Sequence, residues 1–131
     1  MWESRTPWRS ARLVGLVSDA LTGIVRLDPA RVTAEPQIVE GPALTRTASL
    51  FEPGAGLTAG VWEAEPFTEH IPSYPCDEIC VVLEGTIHLR LPDGTTESFG
   101  PGEALAISEG TECTWHQAER VRKFYVIRER A

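Results

Sequence analysis

The sequence DEICVVLEG at residues 77–85 is followed by FGPGEALAISEGTECTW at residues 99–115 and by VRKFYVI at residues 121–127. Each stretch contains a short apolar run, and turn residues such as Gly85 and Pro101-Gly102 separate the runs. Glycine supplies the positive φ that tight hairpins need, and proline fixes the φ angle at the start of a turn. The pattern therefore predicts short strands joined by tight turns.

The same pattern of short apolar runs separated by turn residues extends from Leu44 to Arg128. Strands are predicted at residues 45–51, 57–65, 67–74, 77–83, 86–91, 95–99, 104–107, 111–117 and 121–128. Many short strands at intervals of about ten residues are typical of an all-β sandwich or barrel. We expect one domain over residues 29–131, preceded by an extension over residues 1–28.

The extension has two interpretations. Its apolar residues recur at steps of three and four, which favours a short amphipathic helix: Leu13, Leu16, Val17, Ala20, Leu21 and Ile24. Alternatively, the run IVRL after Gly23 forms a first strand. Either way its apolar residues need a cover, which the barrel or a second subunit could provide.

Composition excludes several classes of function. The 131 residues carry a net charge of −7, so no positive field attracts nucleic acid or an anionic membrane. The longest apolar stretch, residues 13–27, is interrupted by Asp19 and Arg26 and is too short to span a bilayer. Three cysteines without metal-site spacing fit a reducing cytoplasm. We expect a cytoplasmic protein with a small-molecule partner.

The ordered motifs at residues 77–85, 99–115 and 121–127 resemble the cupins over residues 44–128. The similarity is to the branch of ureidoglycine aminohydrolase-like and ethanolamine-utilisation-type cupins. This resemblance implies a cupin jelly-roll barrel, also called a double-stranded β-helix, that holds a small organic molecule.

The resemblance also implies where metal ligands would lie. The family's two histidines fall on Pro72 and Tyr74, its glutamate is kept as Glu78, and its late histidine is replaced by Cys113. Since proline has no side-chain donor and tyrosine is an unusual ligand, we expect no tightly bound metal and no other cofactor. If a divalent ion is present, Glu78 and Cys113 are its expected ligands, with His70 or Tyr74 completing an atypical set.

Strand alternation predicts which side chains face the interior, because residues two apart share a face. If Glu78 points inward, as the resemblance implies, then Ile79, Val81 and Leu83 point outward. Three large outward aliphatic side chains require a cover, which favours a homodimer or contact with the extension. On the last strand, the family's RKxY pattern favours Lys123 and Tyr125 as inward residues.

A ligand pocket is therefore predicted inside the barrel. Its expected lining is Trp62, Tyr74, Glu78, Cys113, Trp115, Lys123 and Tyr125, with His70 near the mouth. Each member also has a plain structural interpretation: an ion pair for Glu78 with Lys123, and core packing for the tryptophans and cysteines. The remaining histidines, His88 and His116, are expected to be surface groups.

Three hypotheses for function follow. The first is an enzyme that moves protons on a small polar metabolite, as an isomerase, lyase or hydrolase. In it, Glu78 is the acid or base while Lys123 and Tyr74 stabilise negative charge. The second is a binding or sensing module without catalysis, because a fold does not determine function. The third is a metal-dependent enzyme with the atypical ligand set.

Overall fold

The computed structural model describes residues 23–32, 37–38 and 44–130. These residues form ten strands and no helix: β1 (Gln37–Ile38), β2 (Leu44–Gly54), β3 (Leu57–Ala64), β4 (Phe67–Ile71), β5 (Asp77–Glu84), β6 (Ile87–Arg90), β7 (Thr96–Phe99), β8 (Ala104–Ile107), β9 (Cys113–Gln117) and β10 (Val121–Arg128). The prediction of an all-β protein is confirmed. In this part of the chain, no helix has the length and hydropathy needed to cross a membrane.

The strands form two sheets whose paired neighbours are all antiparallel. The larger sheet has the order β1-β2-β3-β10-β5-β8, and the smaller has the order β4-β9-β6-β7. The two inner faces enclose one apolar core, as expected when two sheets each bury one face. This arrangement is the cupin-like barrel that the sequence predicted.

Most predicted strands lie within a few residues of their observed positions, but the run at 67–74 is shorter than expected. Strand β4 ends at Ile71. Beyond it, Tyr74 forms two backbone hydrogen bonds with the β8–β9 connection: its N–H donates to Thr111 and its carbonyl accepts from Gly110, at 2.9 and 2.7 Å. Tyr74 is thus held against the barrel by a loop instead of by a strand.

The predicted helix of the extension falls mainly on residues 1–22, which lie outside the described residues. Residues 24–28 form neither helix nor strand, so the run IVRL is not a first strand. It nevertheless contacts the barrel, because Leu27 and Val32 pack on an outer cluster of Ala48, Leu50 and Val61. This segment covers the outer face of the larger sheet over β2 and β3.

The other half of that outer face is not covered by any described residue. Ile79, Val81 and Val126 are 57%, 36% and 38% exposed, respectively. Strand alternation thus placed Ile79 and Val81 correctly on the outside. The homodimer that was expected to cover them stays a prediction.

A buried network and tryptophan cage in the barrel

The barrel interior contains a chain of three hydrogen-bonded ionisable side chains. Lys123 Nζ donates to Glu78 Oε2 at 2.6 Å, and the Tyr74 hydroxyl donates to the other oxygen, Oε1. The three residues are only 2–3% exposed. One carboxylate therefore accepts from an ammonium and a phenol in a nearly dry environment, where electrostatic interactions are strong.

Strand register brings Glu78 and Lys123 together on two neighbouring strands, although they are 45 residues apart in the chain. Strand β10 lies between β3 and β5, with Lys123 opposite Trp62 on one side and Val82 on the other. Glu78 pairs with Ile127, four residues further along β10. Because residues an even number apart share a face, both charged side chains point into the barrel, and the long lysine reaches back to the carboxylate.

Two tryptophans enclose the ammonium. Lys123 Nζ lies 4.7 Å from the ring centroid of Trp62 and 4.6 Å from that of Trp115. The two rings meet edge to face, with centroids 5.9 Å apart. Such cation–π contacts stabilise a desolvated ammonium. We call Trp62 and Trp115 the tryptophan cage.

Gln117 holds the cage in place, a role that the sequence did not reveal. Its Oε1 accepts from Trp115 Nε1 at 2.9 Å, and its Nε2 donates to the backbone carbonyls of Ala64 and Glu65 at 3.0 and 3.1 Å. In contrast, Trp62 Nε1 is buried and has no hydrogen-bond partner among the described residues. An unsatisfied buried donor is costly, so this indole N–H is a polar group of the interior whose hydrogen-bonding capacity the described residues do not use.

The network holds both donors protonated. Burial, and then the Glu78 charge, keep the pKa of Tyr74 well above its usual value. Burial by itself would lower the pKa of Lys123, but the attraction of Glu78, with a smaller contribution from Cys80, raises that pKa overall. At neutral pH, Tyr74 is therefore a neutral donor and Lys123 is a cation.

Tyr125 also lies in the interior, beside the network but not in it. Burial raises the pKa of Tyr125 to about 12, against an opposing hydrogen bond with Thr47. Thr47 and its neighbours Thr45 and Ser49 add buried polar groups from β2. The alternation in TRTAS at residues 45–49 is the signal that could have identified them.

The three cysteines are buried and free of disulfides. Burial raises the pKa of the Cys80 thiol to about 12 and also raises that of Cys113. Cys76 lies in the core as well. Since the thiolate is the reactive form, none of these groups is poised as a nucleophile.

We therefore expect slow labelling of all three thiols in the folded protein. A raised pKa means that the thiolate fraction at pH 8 is small and grows as the pH increases. The rate of reaction with a coloured aromatic disulfide, compared with the rate for urea-unfolded protein, checks this. Rapid labelling of one thiol at pH 7, mapped to Cys113 by a Cys113→Ser variant, would contradict it.

His70 does not join the network. It lies on the outer face of β4, 3.3 Å from the Thr114 hydroxyl through Nδ1 and 3.2 Å from the Glu112 carboxylate through Nε2. The ring is exposed. The structure thus places it away from Tyr74, Glu78 and Lys123, and both of its nitrogens are engaged.

A second buried carboxylate, on the opposite side of β3, was not anticipated. Glu63 is 2% exposed, and its oxygens lie 3.3–3.6 Å from the guanidinium groups of Arg46, Arg120 and Arg122. Arg122 also donates to the carbonyl of Pro29 at 3.2 Å. The cluster therefore links β2, β3 and β10 to the covering segment.

The donor set in the barrel does not fit a divalent metal. Both oxygens of Glu78 are occupied by Lys123 and Tyr74, and Pro72 is exposed and has no donor. An ion bound to Glu78 would also lie close to the Lys123 ammonium, and the two positive charges would repel each other. Within residues 23–32, 37–38 and 44–130, no three His, Cys, Asp or Glu residues converge as a metal site.

Two surface cavities lie on either side of β8. One, of about 240 Å³, opens between β7 and β8 and is lined in part by Leu105, Ile107, Thr111 and Cys113. The other, of about 350 Å³, is lined in part by Asp77, Glu78 and Ile107. In β8, Ile107 is the residue paired with Glu78. Ile107 therefore lines both cavities, and Glu78 itself contributes to the larger one.

The chain is similar in sequence to a known protein family and to a named enzyme. A family model described as an EutQ-like cupin domain matches residues 51–125. The chain is 30% identical over 101 residues to an (R)-mandelonitrile lyase from Granulicella tundricola. The matched region covers 77% of this chain and 63% of that enzyme. The chain thus spans less than two thirds of the length of this curated relative.

Solved structures show the same fold. A DUF861-family protein of unknown function from Pseudomonas syringae superposes with a TM-score of 0.67 at 28% identity, covering 77% of this chain and 46% of that chain. The EutQ protein of Clostridium difficile superposes with a TM-score of 0.63 at 23% identity, covering 76% and 81%, respectively.

Proposed function

This chain belongs to the EutQ-like cupin family, and from that premise we propose that it is an enzyme that moves protons on a small polar metabolite without a tightly bound metal. Glu78 is the acid or base, and Lys123 and Tyr74 stabilise negative charge on the substrate. The tryptophan cage excludes water. The observation that supports this most directly is the chain of hydrogen bonds from Lys123 through Glu78 to Tyr74.

The protonation states of Lys123 and Tyr74 indicate which residue of the network accepts the substrate's proton. Lys123 and Tyr74 both have raised pKa values, so neither accepts a proton near neutral pH. Glu78 is the remaining acceptor. A proton leaves an O–H or C–H bond of the substrate and forms an O–H bond on Glu78, and the electron pair stays on the substrate. The Lys123 ammonium and the Tyr74 hydroxyl stabilise the resulting anion, and Glu78 later returns the proton.

Among the reaction classes, a lyase receives support from the relative named (R)-mandelonitrile lyase. Cleaving a 2-hydroxynitrile requires removal of a hydroxyl proton and protonation of the departing cyanide, which one carboxylate can carry out in turn. The substrate would approach through the cavity between β7 and β8, which is lined by Ile107, the residue of β8 that is paired with Glu78.

The test is a Glu78→Gln variant, which keeps the shape of the side chain and removes the base. We expect kcat to fall about a hundredfold, within the range of general acid–base catalysis. Wild-type protein would first be assayed with (R)-mandelonitrile, by benzaldehyde release. A panel of small aldehydes, 2-hydroxy acids and 2-keto acids in D₂O, monitored by NMR for proton exchange, would complete the assay.

Glu63→Gln is the matched control, because Glu63 is equally buried but lies on the other face of the sheet with three arginines. It should leave kcat within about twofold, since it does not touch the site. The proposal is wrong if Glu78→Gln keeps full turnover, or if wild-type protein neither cleaves nor exchanges any compound of the panel.

A non-catalytic binding module is the second candidate. It is favoured by the completeness of the network: Lys123 and Tyr74 already satisfy both oxygens of Glu78. In that case Glu78 and Lys123 are a permanent ion pair, and the buried Trp62 N–H remains as a donor for a ligand. A metabolite that copurifies with the protein and is never converted would support this candidate.

A further inference from the structure

The outer face of the smaller sheet has a row of four polar side chains that crosses all four strands. The register aligns Thr68 of β4 with His116 of β9, His116 with His88 of β6, and His88 with Ser98 of β7. The two imidazoles are therefore direct cross-strand neighbours at the centre of the sheet. His116 is exposed and His88 is half-buried.

A hydroxyl group orients each imidazole. His116 Nδ1 lies 2.6 Å from the Thr68 hydroxyl, and His88 Nδ1 lies 2.6 Å from the Ser98 hydroxyl. The outer nitrogens, Nε2, have no hydrogen bond to any described residue. When Nδ1 carries the proton and donates it to the hydroxyl, Nε2 presents a lone pair, which is the tautomer that metals bind.

The ring separation fits shared coordination of one ion. The centroids of His88 and His116 are 5.7 Å apart, and the planes are inclined by 31°. Two imidazoles bound to a tetrahedral ion at about 2.0–2.1 Å have centroids about 5 Å apart. Stacked rings would approach more closely.

We propose that His88 and His116 form a two-histidine site for a divalent transition metal ion such as Zn²⁺, bound through both Nε2 atoms, with water in the remaining positions. Thr68 and Ser98 orient the ligands from the flanking strands. The site lies on the outside of the barrel and is independent of the reaction proposed for Glu78. A bound ion would link β6 to β9, the two central strands of the smaller sheet.

Charge and rigidity also support the site. The protein has a net charge of −7, which favours the approach of cations. Ligands on paired strands keep their spacing better than ligands on loops. Arg90, the next residue of β6 on this face, is exposed, so its charged end can extend into solvent away from a bound ion.

His70 on the same face supplies a matched control. Its Nδ1 contacts the Thr114 hydroxyl and its Nε2 lies 3.2 Å from Glu112, and the residue opposite it on β9 is Thr114, so it has no second imidazole across the strands. A His70→Asn variant removes one imidazole from the same sheet without touching the proposed site. Any general effect of losing a surface histidine would appear in this variant too.

The experiment titrates Zn²⁺ into metal-free protein, using calorimetry and the ¹⁵N NMR signals of the histidine rings. We expect one ion per chain and shifts at Nε2 of both His88 and His116. His88→Asn or His116→Asn should weaken binding at least about tenfold, whereas His70→Asn should leave it nearly unchanged.

Thermal unfolding gives an independent measure, since a ligand that binds only the folded state raises the melting temperature. Zn²⁺ should raise it for wild type and for His70→Asn, but not for the His88→Asn/His116→Asn double variant. No binding at about 1 mM Zn²⁺, or binding that persists in the double variant, would overturn the proposal.

Discussion

Replacing Lys123 by methionine is expected to lower the free energy of unfolding by about 3–5 kcal/mol, because it leaves the Glu78 carboxylate buried without its cation. Methionine keeps an unbranched apolar side chain beside the tryptophan cage, but it is shorter than lysine and carries no ammonium. Glu78 then keeps Tyr74 as its donor but loses the 2.6 Å contact with Nζ. Urea unfolding, followed by tryptophan fluorescence, measures the change.

The double variant Glu78→Gln/Lys123→Met separates the cost of an unpaired charge from the value of the pair. It should recover much of the lost stability, because no buried charge remains. Arg128→Met breaks an exposed ion pair with Asp77 and should change stability little. A Lys123→Met variant as stable as wild type would show that Glu78 and Lys123 are not a buried pair in solution.

Gly60→Ala is expected to lower the free energy of unfolding by about 3 kcal/mol through a steric clash. Gly60 lies in the middle of β3, and a Cβ there would be 2.2 Å from the carbonyl oxygen of Ala48 and 2.8 Å from the Tyr125 hydroxyl. Since the carbonyl belongs to the neighbouring strand β2, the clash cannot be relieved by a side-chain rotation. Thermal and urea unfolding of the variant test this.

The control for Gly60 is Gly94, in the turn between β6 and β7. A Cβ there meets nothing within 4 Å, although φ is +91°. Gly94→Ala should therefore cost only the conformational penalty of about 1–2 kcal/mol. If the two variants are equally stable, the close contact between β2 and β3 at Gly60 is wrong.

At the interior site, strand alternation predicted correctly which side chains face inward and which face outward on β5, β9 and β10. Alternation from Glu78 correctly placed Ile79 and Val81 outside, and the inward positions of Trp115, Lys123 and Tyr125 match their observed burial. The roles of these residues are untested and stay proposals. His70 lies on the outer face because β4 exposes alternate residues and His70 is one of them.

Some functional candidates could not be identified before the register was known. The surface interpretation of His88 and His116 did not reveal that the two rings face each other, since they are 28 residues apart and meet only through the pairing of β6 with β9. Similarly, nothing local distinguishes the buried Glu63 from the half-buried Glu65. Its burial depends on three arginines from other parts of the chain.

The sequence by itself determined most of the strands, the turns between them and the inward residues of β5, β9 and β10, because these depend on residues within a few positions of one another. Only the tertiary structure decided that Lys123 contacts Glu78, 45 residues away, and that Tyr74 joins the network from a loop. It also decided that His88 and His116 are neighbours on the outer face of the smaller sheet. The physical reason is that partners between strands depend on register and sheet order, which result from the packing of the whole barrel.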